Sequence, residues 1–323
     1  MFRLRLIPDN TNIKFMKGRF VGLAMSAFLS IASIILFFYP GLNYGIDFRG
    51  GILMEVRLQQ PADFPALRNL LGSMNLGEVA LQEFGSPRDL LIRLERQGDD
   101  DAAQNAAAQR VRTELSQAYP GAEMRRVEVV GGKISAELFQ SGLIAVGLAL
   151  LAIAVYIWFR FEWMFALAAF ITLLLDITKM IGFYAVTQLP FGLTAVAAVL
   201  TIIGYSINDK VVVYDRMREN LRKYKTMPLR ELIDRSINET LSRTLFTSVT
   251  TFLAMVPLAF MGGEAVEVFA IGMLFGIIVG TSSSIFIAAP LVLITGEKWL
   301  RRRQKTNTEA ETKAKATPAE QRS

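Results

Sequence analysis

Asp209 is the residue of this 323-residue chain whose type and position point most clearly to chemistry. It lies about a turn and a half inside an otherwise apolar predicted helix, with Tyr205 and Ser206 one turn away on the same face. A charge near the centre of a bilayer costs about 2.5 kcal/mol or more, so it requires compensation. Arg243 starts the next predicted helix at a similar depth, and we expect it to pair with Asp209.

A carboxylate in a low-dielectric site beside a guanidinium group is suited to ion transfer, since small helix movements can switch its protonation. The alternative is a static salt bridge that holds two helices together. Because ionisable residues inside membranes so often mark ion pathways, we favour the functional interpretation. Asn208 and Thr247 would extend this polar region as supporting residues.

Asp176 and Lys179 form a second polar pair in another predicted helix. Their i,i+3 spacing lets the two side chains meet within that helix. Mutual neutralisation accounts for both residues, so the structural interpretation is stronger here, and Asp176 is retained only as a supporting residue of the ion-coupling site.

Hydropathy indicates the helices that position these residues. The chain is 52% hydrophobic and only 20% charged, too apolar for an ordinary soluble protein of this length. Stretches of roughly 20 apolar residues can cross about 30 Å of hydrocarbon as helices. Six are predicted: Phe20 to Tyr39, Leu138 to Trp158, Trp163 to Val186, Phe191 to Tyr214, Thr244 to Met261 and Val266 to Thr295.

The basic residues predict an orientation. Lys and Arg are concentrated in residues 1–19, in the connection 215–243 and in residues 296–323, whereas the short loops 188–190 and 262–264 have none. By the positive-inside rule both termini are cytoplasmic. The net charge of +6 therefore reflects membrane topology and not a nucleic-acid surface.

Two basic segments have further predicted properties. Within the connection, apolar residues recur at helical spacing, which predicts an amphipathic helix lying on the inner membrane interface. These residues are Leu229, Leu232, Ile233, Ile237 and Leu241. The tail 296–323, including Arg301, Arg302, Arg303 and Lys305, has a composition typical of disorder.

Residues 40–137 lie between the first two spanning helices and predict a small folded domain outside the membrane. Periodicity gives the element order β-α-β-β-α-β over residues 51–58, 63–74, 78–84, 89–95, 101–119 and 123–130. That order is typical of a ferredoxin-like α+β fold. An acidic run, Asp99 to Asp101, favours the start of the second helix.

Covalent chemistry has few candidates in this chain. Cysteine and histidine are both absent, which removes thiol nucleophiles, Cys-based metal sites and the commonest proton shuttle. Gly132-Lys133 lacks the earlier glycine of a nucleotide-binding P-loop. We therefore expect no catalytic residues, metal or cofactor, and an ion gradient as the energy source.

Four motifs resemble the SecF family of protein-export subunits within the resistance-nodulation-division superfamily. The first contains Gly45, Asp47, Phe48, Gly50 and Gly51 just after the first helix, and the second is Arg160 to Trp163. The third, GYSINDKVVVYDRMREN, runs from Gly204 to Asn220 and includes Asp215 and Arg216; the fourth runs from Asn238 to Thr251. The resemblance covers about Lys14 to Trp299.

The resemblance implies a polytopic bacterial inner-membrane protein with a periplasmic domain, pairing with SecD as a heterodimer. It implies that the two subunits act with the SecYEG channel, and with YajC, in the late steps of translocation of exported polypeptides. The proton motive force would drive these steps. The family's coupling aspartate and arginine correspond to Asp209 and Arg243. Membrane lipids are further partners and nucleic acid is not.

Two positions depart from the family pattern. Leu175 precedes Asp176 where many members have histidine, and Lys210 follows Asp209 where a small hydroxyl residue is common. Lys210 either places an ammonium group near Asp209 or extends to the cytoplasmic surface. The glycine-rich first motif is either a transducing joint or a turn into the first strand with Asp47 and Arg49 paired.

Two other functions remain as alternatives. The superfamily also contains exporters of lipids and small molecules, although these usually carry larger paired periplasmic insertions than the roughly 100 residues present here. A passive receptor is the third class. It would have no need of a membrane-embedded carboxylate facing Arg243.

Overall fold

The structure, a computed structural model, describes residues 11–84, 86–98 and 101–297. Several sequence predictions lie wholly or partly outside the described residues: residues 1–10 of the N-terminal segment, the Asp99-Asp100 helix start and most of the tail 296–323. The chain divides into two compact units. Within the described residues, a helical unit contains 11–42, 146–189 and 194–297, and a second unit contains 43–145 and 190–193.

Six helices of the described chain are long and apolar enough to cross a membrane. They belong to a series that runs, in chain order, α1 Arg19–Phe38, α2 Ile46–Arg49, α3 Phe64–Gly72, α4 Asp101–Ala118, α5 Gly132–Arg160, α6 Trp163–Thr187, α7 Leu193–Lys223, α8 Leu229–Met261 and α9 Glu264–Ser283. The spanning helices are α1 and α5 to α9, and α9 leads into a π-helical turn, Ser284–Ala288, within the sixth apolar segment. The six predicted spans are confirmed.

The connection 215–243 differs from the prediction because it is almost entirely helical. α7 continues to Lys223 and α8 starts at Leu229, so the amphipathic segment is the first half of α8 and not a separate interfacial helix. Its apolar residues belong to the same buried cluster as Met16, Phe161 and Met217 within the helical unit. A helical apolar stripe has the same period whether it faces lipid or protein, so the sequence could not distinguish the two.

Small residues permit close packing of α9. A Cβ atom added to Gly272 would lie 2.1 Å from the Tyr184 hydroxyl, and one added to Gly276 would lie 2.3 Å from Ile202 Cγ1. Gly280 lies against Ser206. These three contacts hold α9 close to α6 and α7, which carry the candidate site.

The second unit contains a four-stranded antiparallel sheet with the order β2-β3-β1-β4. Its strands are β1 Gly51–Arg57, β2 Val79–Phe84, β3 Ser86–Leu94 and β4 Glu123–Val130. Alternate β1 residues, Ile52, Met54 and Val56, are fully buried with residues of α3 and α4. This arrangement confirms the ferredoxin-like fold, because α3 and α4 cover one face of a sheet with that order.

Candidate ion-coupling site

Asp209 lies in α7 and is almost completely buried within the helical unit, with 2% of its surface exposed. Its Oδ2 atom has no hydrogen-bond partner among the described residues. A buried carboxylate oxygen without a hydrogen bond is costly in a packed protein, which makes Asp209 a candidate for a functional role. Its depth in the bilayer stays a prediction.

The expected ion pair between Asp209 and Arg243 is absent from the described residues. Arg243 lies in the middle of α8 and not at its start, and its side chain is exposed. Thr244, one residue further and about 100° around the helix, occupies the buried face instead. The predicted helix start was wrong, and so was the expected direction of the Arg243 side chain. Its role in coupling stays a prediction.

The polar residues predicted around Asp209 divide between two environments. Tyr205 donates a hydrogen bond to Ser248 Oγ at 3.1 Å, and Ser248 and Thr281 share another of 2.7 Å, which links α7, α8 and α9. Thr247 donates to a carbonyl of its own helix, and Asn208 is exposed. Tyr205 therefore contributes to the helix contacts near Asp209, whereas Asn208 does not.

Lys210 makes four polar contacts with described residues of the helical unit. Its amine lies 2.8 Å from Asp176 Oδ2 on α6, and both side chains are completely inaccessible to solvent. Ser206 and Ser283 donate hydrogen bonds to the same carboxylate oxygen at 2.8 and 2.7 Å. Lys210 thus does not extend to the cytoplasmic surface, because the carboxylate and hydroxyls of α6 and α9 hold it inside.

Asp176 consequently has a different principal partner from the one that the sequence indicates. Lys179 Nζ is 3.7 Å from Asp176 Oδ1, too far for a hydrogen bond, and neither atom has a hydrogen-bond partner within the described ranges. Two lysines, Lys179 and Lys210, and two aspartates, Asp176 and Asp209, therefore lie buried in neighbouring helices. Their formal charges cancel, which makes the burial of each tolerable.

Ion pairs fix the end of α7 beyond these buried charges. Asp215 accepts a hydrogen bond from Arg160 at 2.6 Å, and Arg216 donates to Glu239 of α8 at 2.7 Å and to Glu219 at 2.6 Å. Since these pairs are partly exposed, each contributes little stability alone. Together they connect α7 to α8 and to the end of α5, which gives the motif residues Asp215 and Arg216 a positioning role.

The glycine-rich motif contacts the start of α7 within the second unit. Asp47 Oδ2 accepts a hydrogen bond from the Leu193 backbone N–H at 2.8 Å. Gly45 N donates to Phe191 O at 3.1 Å, and the Phe48 and Phe191 rings pack with centroids 6.2 Å apart. No Asp47 to Arg49 ion pair occurs among the described residues. The expectation of a surface pair is wrong, because Asp47 caps a helix instead.

The last two glycines of the motif have conformations that side chains rarely adopt. Gly50 and Gly51 have φ angles of 72° and 119°. A Cβ atom at Gly51 would lie 2.5 Å from the Leu94 carbonyl oxygen of β3. Glycine is therefore required where the chain enters β1 beside its neighbour strand.

These features define a polytopic membrane protein that buries a charged cluster among its spanning helices and carries a ferredoxin-like domain. Residues 110–298 match the family model described as protein export membrane protein SecD/SecF, C-terminal, and residues 35–62 match that of the SecD/SecF GG motif. The chain belongs to the SecF branch of this protein-export family.

Relatives named protein translocase subunit SecF match along nearly their whole length. The protein of Rickettsia bellii is 46% identical over 299 residues, which cover 92% of this chain and 98% of the relative. That of Rickettsia akari is 46% identical over 293 residues, covering 90% and 94%. The family resemblance drawn from the four motifs is confirmed.

Solved structures share the fold, among them two of SecDF. The crystal structure of SecDF from Thermus thermophilus, described as a translocon-associated membrane protein, matches with a TM-score of 0.80 and 34% identity. The match covers 91% of this chain but only 40% of that one. A SecDF structure in a super-membrane-facing form matches with a TM-score of 0.67 and 32% identity, covering 96% and 41%. This chain therefore spans about two fifths of the SecDF chains.

Proposed function

We propose that this chain is an accessory subunit of the Sec preprotein translocase that uses the proton motive force to assist late steps of protein translocation. It performs no covalent chemistry in this proposal. The observation that carries the proposal is Asp209, a carboxylate buried in a spanning helix with an unsatisfied oxygen, in a chain of the SecF branch. A proton is the simplest ligand for such an oxygen, because protonation removes the charge without a coordination shell.

The partner in this proposal is SecD, and the assembly contacts the SecYEG channel, YajC and the exported polypeptide. The SecDF match supports the SecD pairing, since this chain corresponds to two fifths of a single longer chain whose name includes both subunits. The exposed side chain of Arg243 also fits an assembly. In the assembly, the guanidinium group of Arg243 would either contact the partner subunit or reach Asp209 in another conformation of the helices.

The proposed location is the bacterial inner membrane, with the ferredoxin-like domain in the periplasm and both termini in the cytoplasm. The distribution of Lys and Arg supports this orientation. The exporter of small molecules or lipids is not favoured, because the matched relatives are translocase subunits.

The test is the rate of secretory precursor maturation in cells whose only copy carries Asp209→Asn. The matched control is Glu219→Gln, the same acid-to-amide change at an exposed position of the same helix. If Asp209 couples the ion, export slows to the level of a deletion while the variant stays inserted, and the control remains normal. Normal export with Asp209→Asn would overturn the mechanism and leave the carboxylate a structural role.

A further inference from the structure

The amine of Lys210 lies inside a group of oxygen atoms supplied by three helices. Asp176 Oδ2 lies at 2.8 Å, and the Ser206 carbonyl oxygen and Ser283 Oγ both lie at 3.3 Å. The Ser206 hydroxyl also contacts the amine. Asp176, Ser206, Lys210 and Ser283 are all completely inaccessible to solvent. We call these four oxygen atoms the oxygen cage.

The geometry allows the hydroxyl groups of the cage to point their lone pairs at a cation. Each serine has a single hydroxyl proton, and both Ser206 and Ser283 can donate theirs to Asp176 Oδ2. Their lone pairs then remain for the positive charge of Lys210. A carboxylate, a carbonyl and two hydroxyls are also the donors that hard metal cations prefer, and such oxygens replace a hydration shell in ion-selective sites.

Four oxygens surround an ammonium group that has only three protons to donate. The arrangement therefore resembles the coordination of a point charge more than a set of paired hydrogen bonds. Lysine supplies a compact, strongly charged group on a flexible stem, which is the side chain best able to place a cation at such a position.

Lys179 provides the comparison within the same unit. Its amine is also buried and faces the same carboxylate, at 3.7 Å from Oδ1, but it has no hydrogen-bond partner among the described residues. If neutralising Asp176 were the whole role of Lys210, Lys179 would serve as well. Only Lys210 occupies the oxygen cage.

We propose that Lys210 is a tethered cation that fills an alkali-cation site, and that it thereby excludes sodium and potassium ions from this helical unit. Without it Asp176 would face Lys179 alone, and the formal charges of the buried aspartates and lysines of α6 and α7 would sum to −1 instead of zero. A free alkali cation would then be favoured at the vacated position. The consequence that the subunit couples to protons and not to sodium rests on the proposed function; the cation binding itself does not.

The experiment measures thermal unfolding of the purified full-length protein in detergent. Wild type, Lys210→Met and Lys179→Met are compared in sodium, potassium and choline chloride at equal ionic strength. Lys210→Met is expected to gain roughly 3 °C or more in Tm in sodium or potassium over choline, saturating with concentration. Wild type and Lys179→Met should show the same Tm in all three salts.

Two further variants keep the test decisive. Adding Asp176→Asn to Lys210→Met should abolish the gain, because it removes the charged oxygen of the cage. Lys210→Thr leaves a smaller polar side chain and is measured in the same way if Lys210→Met does not accumulate. The proposal is overturned if the wild type is stabilised specifically by an alkali cation, or if the folded Lys210 variants show no salt response. An equal gain in Lys179→Met would also overturn it, since charge balance alone would explain it.

Failure here is distinguishable from failure of the proposed function. Normal export with Asp209→Asn would remove ion coupling but leave these salt-dependent melting temperatures unchanged. Conversely, a missing salt response would leave the Asp209 test of export unaffected.

Discussion

Asp47 caps the helix that carries Asp209: its Oδ2 accepts the backbone N–H of Leu193, the first residue of α7, at 2.8 Å. The first N–H groups of a helix lack partners within the helix, and a carboxylate there also interacts favourably with the helix dipole. Gly192 leaves the space for this contact, since a Cβ atom there would lie 2.4 Å from Asp47 Oδ2. The glycine-rich motif and the start of α7 are therefore held by one short hydrogen bond.

Loss of this cap is expected to destabilise the protein. Asp47→Ala should cost about 1 kcal/mol, whereas Asp47→Asn should cost less, because asparagine also caps helices well. Thermal unfolding of the two purified variants checks this order. Equal losses for Ala and Asn would show that the cap is not what Asp47 contributes.

The Asp176 to Lys210 pair is expected to be strongly non-additive. Either Asp176→Asn or Lys210→Met alone leaves a buried charge without its partner, which costs about 3 to 5 kcal/mol. The double variant should recover much of that loss, because both charges are then removed. Chemical or thermal unfolding of the four proteins, measured in choline chloride to exclude alkali cations, gives the coupling energy. Additive losses would contradict the direct contact seen between Nζ and Oδ2.

Close packing of α9 predicts sensitivity at Gly276. Gly276→Ala places a Cβ atom 2.3 Å from Ile202 Cγ1, so α7 or α9 must shift. The expected cost is about 1 to 3 kcal/mol, typical of an overpacked interior. The control is Gly147→Ala on α5, where nothing lies within 4 Å of the added Cβ. We expect its Tm to be unchanged or slightly raised, and a similar fall in both variants would contradict the packing argument.

Acid should weaken the ferredoxin-like domain through Asp89. Arg57 binds its carboxylate with two hydrogen bonds of 2.6 and 2.7 Å, and this contact lowers the pKa of Asp89 to about 2. The pKa in the folded domain is below the ordinary value of 3.8, so the stabilisation is present above that value and is lost as pH falls through about 2. Asp89→Asn lacks this contribution.

Pepsin digestion of the full-length protein between pH 4 and pH 2 measures the effect. The wild type should resist cleavage within residues 43–131 better than Asp89→Asn at pH 4, and the difference should shrink toward pH 2. Comparing both proteins at each pH corrects for the changing activity of pepsin. A difference that is constant over this range would show that ionisation of Asp89 is not responsible.

Much of the fold follows from local sequence signals. The change of apolar period along the domain separates its strands from its helices, and their order is that of a ferredoxin-like sheet, in which the short connection between β2 and β3 favours an antiparallel pair. The six spans were recognisable because a continuous run of roughly 20 apolar residues is characteristic of a membrane-spanning helix. Helix ends were less predictable: apolar residues beyond Thr244 identified the span, but α8 starts at Leu229 because its first half packs on protein.

The candidate site was only partly predictable. The burial of Asp209 followed from its depth in an apolar helix. The burial of Lys210 did not, since its partners Asp176 and Ser283 lie 34 and 73 residues away and no local pattern connects them. The one local signal was Ser206, one turn before Lys210 on the same face of α7, which could have indicated a polar contact facing inward.

The length of α8 has a mechanical consequence. Its 33 residues make a rod of about 50 Å, well beyond a hydrocarbon thickness of about 30 Å. Pro257 is its one internal proline and lies near the far end, so the half from Leu229 to Arg243 has no such break. A tilt of about 10° around Arg243 swings Leu229 sideways by about 4 Å. A rotation of α8 as small as this would therefore displace its first turn by more than the length of a hydrogen bond.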